Sequence, residues 1–219
     1  MKKGVLFVIS CLCLVIIQEI CEAKIGDDMK KGVLFIVSGP SGVGKTCIVN
    51  EALKRLRDED YDMARVVTYT SRPKRPKEVD GIDYNFISRE DFEQKIRDDF
   101  FLEFSKHINH FYGSPKIIDG NLNLGKSFIL TVNIEGVRNA KKTYYDSVSI
   151  WIDPPDANVL RNRLLGRNDC GKEEIERRLE KAKEEIEQAH KNRLFKYFLV
   201  NDVFEQSVNE FMMLVKKFI

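Results

Sequence analysis

The 219-residue sequence has almost no excess charge of either sign: 36 Lys and Arg stand against 34 Asp and Glu, a formal net charge of +2. That balance does not call for nucleic acid or an anionic membrane as partner, so any basic chemistry must be local. Cysteine is scarce. Of five, Cys11, Cys13 and Cys21 fall in the first 28 residues, and Cys47 and Cys170 stand alone without CxxC or zinc-type spacing. No disulfide framework and no structural metal organises such a chain, and a reducing compartment is expected. Long apolar runs are missing as well. The longest, Val5 to Ile17, is broken by Ser10 and cysteines and is too short to span a bilayer comfortably. There is no low-complexity tract. With 43% hydrophobic and 32% charged side chains, the composition fits one α/β domain with a single good core.

One repeat is present. MKKGVLFVIS at Met1 returns as MKKGVLFIVS at Met29, with only a Val and an Ile exchanged. The first copy runs into CLCLVIIQEIC and has the outline of a secretory signal, with Lys2 and Lys3 ahead of the apolar run and Glu22-Ala23 behind it. The second runs into Gly-Pro-Ser-Gly and reads as a buried parallel strand feeding a phosphate loop. Three readings of residues 1–28 stay open: an extension upstream of a chain that begins at Met29, a retained but dispensable extension, or a segment for export or anchoring. The second copy already fills the strand position, so residues 1–28 are expected to be dispensable and residues 29–219 to be the working domain.

From Lys31 onward, strand-like segments (GVLFIVS, RVVTYT, KSFILTVN, SVSIWI, KYFLVN) alternate with helix-like ones. The helical segments are Lys45 to Arg57, the stretch after Asn133, Asp156 to Leu165, and Val203 to Phe218. This alternation predicts a parallel sheet covered on both faces. Two charged segments, about 71–119 and about 163–191, interrupt it and read as inserts around a nucleotide site.

GPSGVGKT, comprising Gly39, Pro40, Ser41, Gly42, Val43, Gly44, Lys45 and Thr46, matches G-x-x-x-x-G-K-[ST] between an apolar strand and a helix. Its glycines let successive backbone N–H groups turn onto phosphate oxygens, and the helix N-terminus adds partial positive charge. Lys45 is placed to neutralise the β- and γ-phosphates of a nucleoside triphosphate, and the Thr46 hydroxyl to ligate Mg²⁺. The loop does not name the acceptor.

TYTSRPKRPKEVDGIDYNF (Thr68 to Phe86), FLEF (Phe101 to Phe104) and HFYGS (His110 to Ser114) do. Together they resemble the GMP-binding region of guanylate kinases, P-loop nucleoside monophosphate kinases of the bacterial type, and the resemblance runs over nearly all of residues 31–218. It implies a three-layer α/β fold with a parallel core sheet, a GMP-binding insert and a lid. It further implies that Arg72, Arg75, Tyr84 and Tyr112 hold the GMP phosphate, with Ser114 beside the base and Thr68 and Glu103 reading guanine. The chemistry agrees. Two arginines three apart can converge on one dianionic phosphate, and tyrosine hydroxyls complete its hydrogen bonds without adding charge. A carboxylate can accept from guanine N1–H and the 2-amino group together, whereas adenine presents an acceptor at N1 and has no 2-amino group. A solvated basic loop is the competing reading of RPKRPK, and taken alone that segment would favour it.

LRNRLLGRNDCGKEEIERRL resembles the family's lid, which implies roles for Arg163, Arg167 and Arg178 around the transferring phosphoryl group. VND, Val200 to Asp202, resembles the segment that brings Asn201 toward adenine. One departure stands out. Where the family shows acidic residues at a core strand end, this chain has Thr131, Val132 and Asn133, and Glu135 is expected either to supply the missing negative charge near Mg²⁺ or merely to favour its helix N-terminus. The reaction implied is MgATP + GMP giving ADP + GDP, in the cytoplasm, with no nucleic acid or membrane partner. A phosphopeptide-binding module of the same shape and a kinase for another mononucleotide are the alternatives, and the oligomeric state is left open. His107, His110 and His190 are expected to be solvated, and Trp151 to lie in the core.

Overall fold

A computed structural model describes residues 31–219 except Lys77, Ile108, Ile117 and residues 167–170. The expectations for residues 1–28 and for Arg167 therefore lie outside the described residues. In chain order the elements are β1 (Leu34–Ser38), α1 (Lys45–Asp58), β2 (Met63–Arg65), β3 (Tyr69–Thr70), β4 (Asn85–Phe86), α2 (Arg89–Arg97), β5 (Phe101–His107), β6 (His110–Pro115), α3 (Ile118–Asn123), β7 (Ser127–Thr131), α4 (Ile134–Thr143), β8 (Val148–Asp153), α5 (Ala157–Leu165), α6 (Lys172–Lys191), β9 (Tyr197–Val200) and α7 (Phe204–Lys216).

Every residue of β1 is buried, which is why LFIVS has no polar alternation. Side chains along the strand alternate between two separate cores. Phe35 and Val37 meet Ile48, Val49 and Leu56 of α1 and Val208, Phe211 and Val215 of α7. Leu34 and Ile36 meet Ile118 and Leu122 of α3 and Ile134, Val137 and Ala140 of α4. Each large aliphatic side chain so buried contributes about 1.5–3 kcal/mol. The five core strands are parallel, in the order β2-β7-β1-β8-β9. This is the predicted parallel sheet with helices on both faces. Trp151 is fully buried, as expected, and its indole N–H donates to Asp153 Oδ1 at 2.6 Å.

RVVTYT, predicted as one strand, is divided between two sheets. Arg65 ends β2 in the core, Val66 N–H still bonds Ile129 O at 2.9 Å, and by Thr68 the chain pairs instead with Asn85, whose N–H donates to the Thr68 carbonyl at 2.8 Å. Propensity is continuous through Val66, Val67 and Thr68, but the available partners change, and pairing overrides propensity. Tyr69 and Thr70 open a second, mixed sheet in the order β4-β3-β6-β5. Its small core is aromatic: Phe92 of α2 stacks on Phe101 at 4.4 Å and on Phe111 at 5.3 Å. Ser88 caps α2 by accepting from Asp91 N–H at 2.9 Å.

Of the charged insert predicted near 163–191, the described residues include the end of α5 and all of α6. Leu160 and Leu164 of α5 and Ile175, Leu179 and Ala182 of α6 form a third, separate cluster that joins the two helices. His190, expected in solvent, is half-exposed. Its Nε2 lies 2.9 Å from Asp153 Oδ2 and its ring stacks on Phe198 at 4.6 Å, so it fastens the end of α6 to the core.

Candidate active site

The phosphate loop joins β1 to α1 with little room for side chains. Gly44 has φ +100°, and a Cβ there would sit 2.5 Å from Asn201 Nδ2, so only glycine fits without displacing Asn201. Asn201 in turn donates from Nδ2 to the Val43 carbonyl at 2.6 Å, while Arg163 donates to the same carbonyl at 3.3 Å and to the Asn201 carbonyl at 2.9 Å. Two residues far apart in sequence thus brace the loop from the β9 end and from α5. The Lys45 ammonium curls back over the loop onto the carbonyls of Gly39 (2.6 Å) and Pro40 (3.0 Å). Thr46, at the first turn of α1, is exposed.

Among the described residues, three buried polar side-chain atoms have no hydrogen-bond partner: Ser38 Oγ, Thr131 Oγ1 and Asn201 Oδ1. They sit at or just beyond the C-terminal ends of β1, β7 and β9, the edge from which the phosphate loop springs. Orphaned buried oxygens need a partner, and bound phosphate, a cation's water shell or ordered water supplies one. No group of three His, Cys, Asp or Glu able to hold a metal occurs among the described residues. This donor set suits Mg²⁺ that arrives on a nucleotide and keeps phosphate and water ligands, with one hydroxyl from the protein.

The second sheet carries the other cluster. The Arg72 guanidinium lies 5.6 Å from the ring centres of both Tyr84 and Phe86, and Tyr84 and Tyr112 meet edge to face at 6.1 Å. Arg72 also forms a two-pronged pair with Glu78, Nη2 to Oε1 at 2.7 Å and Nη1 to Oε2 at 3.0 Å. The Arg75 backbone N–H donates to Glu78 Oε2 at 2.8 Å. Burial, together with the nearby Tyr112, pushes the Tyr84 hydroxyl above its ordinary pKa, so it is a neutral donor.

Next to this cluster the Glu103 carboxylate is 4% exposed and accepts from the Ser114 hydroxyl at 2.5 Å. Burial, reinforced by the charge of Glu135, pushes its pKa up to about 7, against the pull of the Ser114 hydrogen bonds. Gly136 leaves the space: a Cβ there would stand 3.0 Å from Glu103 Oε2. Thr68 is buried at the start of the same region. Asn133 is the N-cap of α4, accepting from Gly136 N–H at 2.8 Å and donating to Ser105 Oγ at 3.0 Å. Glu135, expected beside Mg²⁺, is exposed in the first turn of α4 and its charge acts on Glu103.

The braced phosphate loop and the arginine–tyrosine–glutamate cluster both lie within the span that one family model matches. The guanylate kinase family model matches residues 31–218. The chain belongs to the guanylate kinase family. It is 38% identical over 183 residues to the guanylate kinase of Thermus thermophilus, covering 83% of this chain and 80% of that one. The guanylate kinase of Bdellovibrio bacteriovorus is 39% identical over 184 residues, covering 84% and 96%. A crystal structure of guanylate kinase from Anaplasma phagocytophilum superposes with a TM-score of 0.70 at 26% identity over 85% of this chain and 86% of that one.

As a guanylate kinase the chain is an ATP:GMP phosphotransferase, and its core sheet and second mixed sheet correspond to the family's core and GMP-binding insert. Among the described residues no helix is long and apolar enough to cross a membrane. Two carboxylates near the guanylate kinase site escaped the sequence reading. Glu78 follows the basic run RPKRPK and looks like one more charge of a solvated loop. Glu185 lies in a lid helix full of i, i+4 pairs, yet it is half-buried, and burial raises its pKa while Lys45 and Lys181 pull it down. Helical periodicity could have flagged Glu185, since it falls on the stripe of Ile175, Ala182 and Ala189 that α6 buries. Arg178 pairs with Glu174 at 2.9 Å.

Proposed function

We propose that this guanylate kinase divides its reaction between the two clusters as follows. Gly39 to Thr46 bind the triphosphate of ATP through backbone N–H groups, with Lys45 on the β- and γ-phosphates and Asn201 toward the adenine. Thr46 would supply a protein ligand to the Mg²⁺ that accompanies ATP, and the ion would add charge neutralisation at the phosphates. Arg72, Arg75, Tyr84 and Tyr112 hold the GMP phosphate. Glu103, with Ser114 and Thr68, reads guanine.

A GMP phosphate oxygen attacks the γ-phosphorus; the new P–O bond forms as the bond to the β-bridging oxygen breaks, and ADP leaves with that electron pair. No general base is needed, because the nucleophile is already an anion. Catalysis is alignment, charge neutralisation by Lys45, Arg72, Arg163, Arg167 and Arg178, and exclusion of water when the lid and insert close. The work is cytoplasmic, where ATP and GMP are.

The observation that carries the acceptor assignment is the buried Glu103 carboxylate, which has a hydroxyl on one oxygen and no cation among its influences. A group in that state gains most from a ligand with two adjacent N–H donors. Intact Lys45 and Thr46 favour the enzyme over a phosphopeptide module of the same fold. Coupled ADP release with GMP, AMP, UMP and dTMP as acceptors tests the reading: GMP alone should support rapid turnover, and comparable turnover with AMP would refute it.

A further inference from the structure

Glu78 has no place in the division of labour above, yet it is the residue to which both acceptor-site arginines are tied. Its carboxylate takes two parallel hydrogen bonds from the Arg72 guanidinium, at 2.7 and 3.0 Å, and a third from the Arg75 backbone at 2.8 Å. Arg75 Nη1 stands 3.9 Å from the same carboxylate. The Arg72–Glu78 pair is well covered, with side chains 12% and 15% exposed, unlike the surface pairs of α6. Burial alone would raise the Glu78 pKa, but the Arg72 and Arg75 contacts outweigh it and hold the carboxyl below its ordinary range, so it is ionised at neutral pH.

The donors of Arg72 can be counted. A guanidinium has five N–H groups in one plane. The end-on Nη1–Nη2 edge is taken by Glu78, and Nη1 also donates to the Pro73 carbonyl at 2.7 Å. What remains is the side-on Nε–Nη2 edge, and the Tyr112 hydroxyl is bonded to this same guanidinium. The Tyr84 and Phe86 rings flank it, each centre 5.6 Å away. Glu78 therefore closes the end-on edge to a phosphate, which meets Arg72 on the side-on edge that the Tyr112 hydroxyl already shares. Through the Arg75 backbone the same carboxylate fixes the loop that presents the second arginine.

We propose that Glu78 is a positioning residue for the acceptor's phosphate, holding Arg72 and Arg75 as one pre-aligned pair and staying bonded to Arg72 when the phosphate binds. A long, flexible side chain that is already aligned loses less freedom on binding than a loose one, so the benefit falls on phosphate affinity. The inference rests on Arg72 and Arg75 being the phosphate-holding residues.

The test compares GMP with guanosine, which has the base but no phosphate, by calorimetry and steady-state kinetics. In Glu78→Gln the amide offers one acceptor oxygen and turns N–H groups toward Arg72, so the dissociation constant and KM for GMP should rise about tenfold. Guanosine binding and the KM for ATP should stay within about twofold, kcat should change little, and Glu78→Asp should recover part of the GMP affinity. Equal weakening of GMP and guanosine would mean a general structural role and overturn the proposal, and so would unchanged or tighter GMP binding. Arg75→Ala separates the two levels: if it leaves the KM for GMP unchanged, the phosphate-site reading itself fails. If it raises that KM while Glu78→Gln does not, only the role of Glu78 falls.

Discussion

Glu103 and Ser114 face each other across β5 and β6, and the Ser114 hydroxyl donates to Glu103 Oε1 at 2.5 Å. The Ser114 hydrogen bonds, from side chain and backbone, do not compensate for the burial of a carboxylate, so burial holds the Glu103 pKa up at about 7. The site is poised for a ligand that brings donors of its own.

A pH dependence follows, and its sign is set by the charged form being the one that accepts from guanine. Below about 7 the carboxyl takes up a proton, and GMP must displace it. The dissociation constant for GMP should therefore weaken about tenfold between pH 8 and pH 6. Glu103→Gln removes this component and leaves only the titration of the GMP phosphate, so calorimetry on both proteins isolates it. A parent profile no steeper than that of Glu103→Gln would contradict the assignment.

Stability should move in the opposite direction. The folded pKa of Glu103 is raised from 4.5 to about 7, so its contribution to stability is fully present below about 4.5 and is lost as pH rises through 7. Without GMP, Glu103→Gln should melt above the parent at pH 8 and close to it at pH 5. A lower melting temperature at pH 8 would show that the charged carboxylate is stabilised by something other than ligand.

Glu135 lies near enough to raise the Glu103 pKa. Glu135→Gln should shift the pH midpoint for GMP binding downward and leave the Mg²⁺ requirement of the reaction unchanged. A raised Mg²⁺ requirement with an unshifted pH profile would return Glu135 to the metal-supporting role expected from the absence of acids at Thr131 and Asn133.

Lys45 donates to the loop carbonyls of Gly39 and Pro40 and is expected to exchange them for phosphate oxygens when ATP binds. Lys45→Ala should lower turnover at least about a hundredfold with GMP affinity nearly intact, because stabilising charge on a transferring phosphoryl group is worth several kcal/mol. Near-normal turnover would remove Lys45 from the chemistry.

How much was legible in the sequence can be judged from these residues. The strand GVLFIVS and the loop GPSGVGKT were readable because burial on both faces and phosphate binding each impose a pattern on consecutive residues. Glu103 was readable only through resemblance, since a lone glutamate in FLEF carries no local signal of its burial. The division of RVVTYT between two sheets, and the grip of Asn201 and Arg163 on the Val43 carbonyl, depend on partners over 100 residues away in the second case and on competing strand edges in the first. Neither constraint is written in any short window. A chain beginning at Met29 should match the full chain in solubility and in GMP kinase activity, and loss of either would contradict the reading of residues 1–28 as dispensable.

The acceptor kinetics of Glu103→Gln test the assignment of the guanine pocket most directly. Steady-state kcat/KM for GMP and for AMP should be measured for the parent and the variant at pH 8, with ATP saturating. The KM for GMP should rise well beyond any change in the KM for ATP, and the preference for GMP over AMP should narrow, because the amide keeps one acceptor oxygen and loses the charge that an adenine N1 lone pair would oppose. Unchanged kinetics with both acceptors would mean that the guanine pocket lies elsewhere.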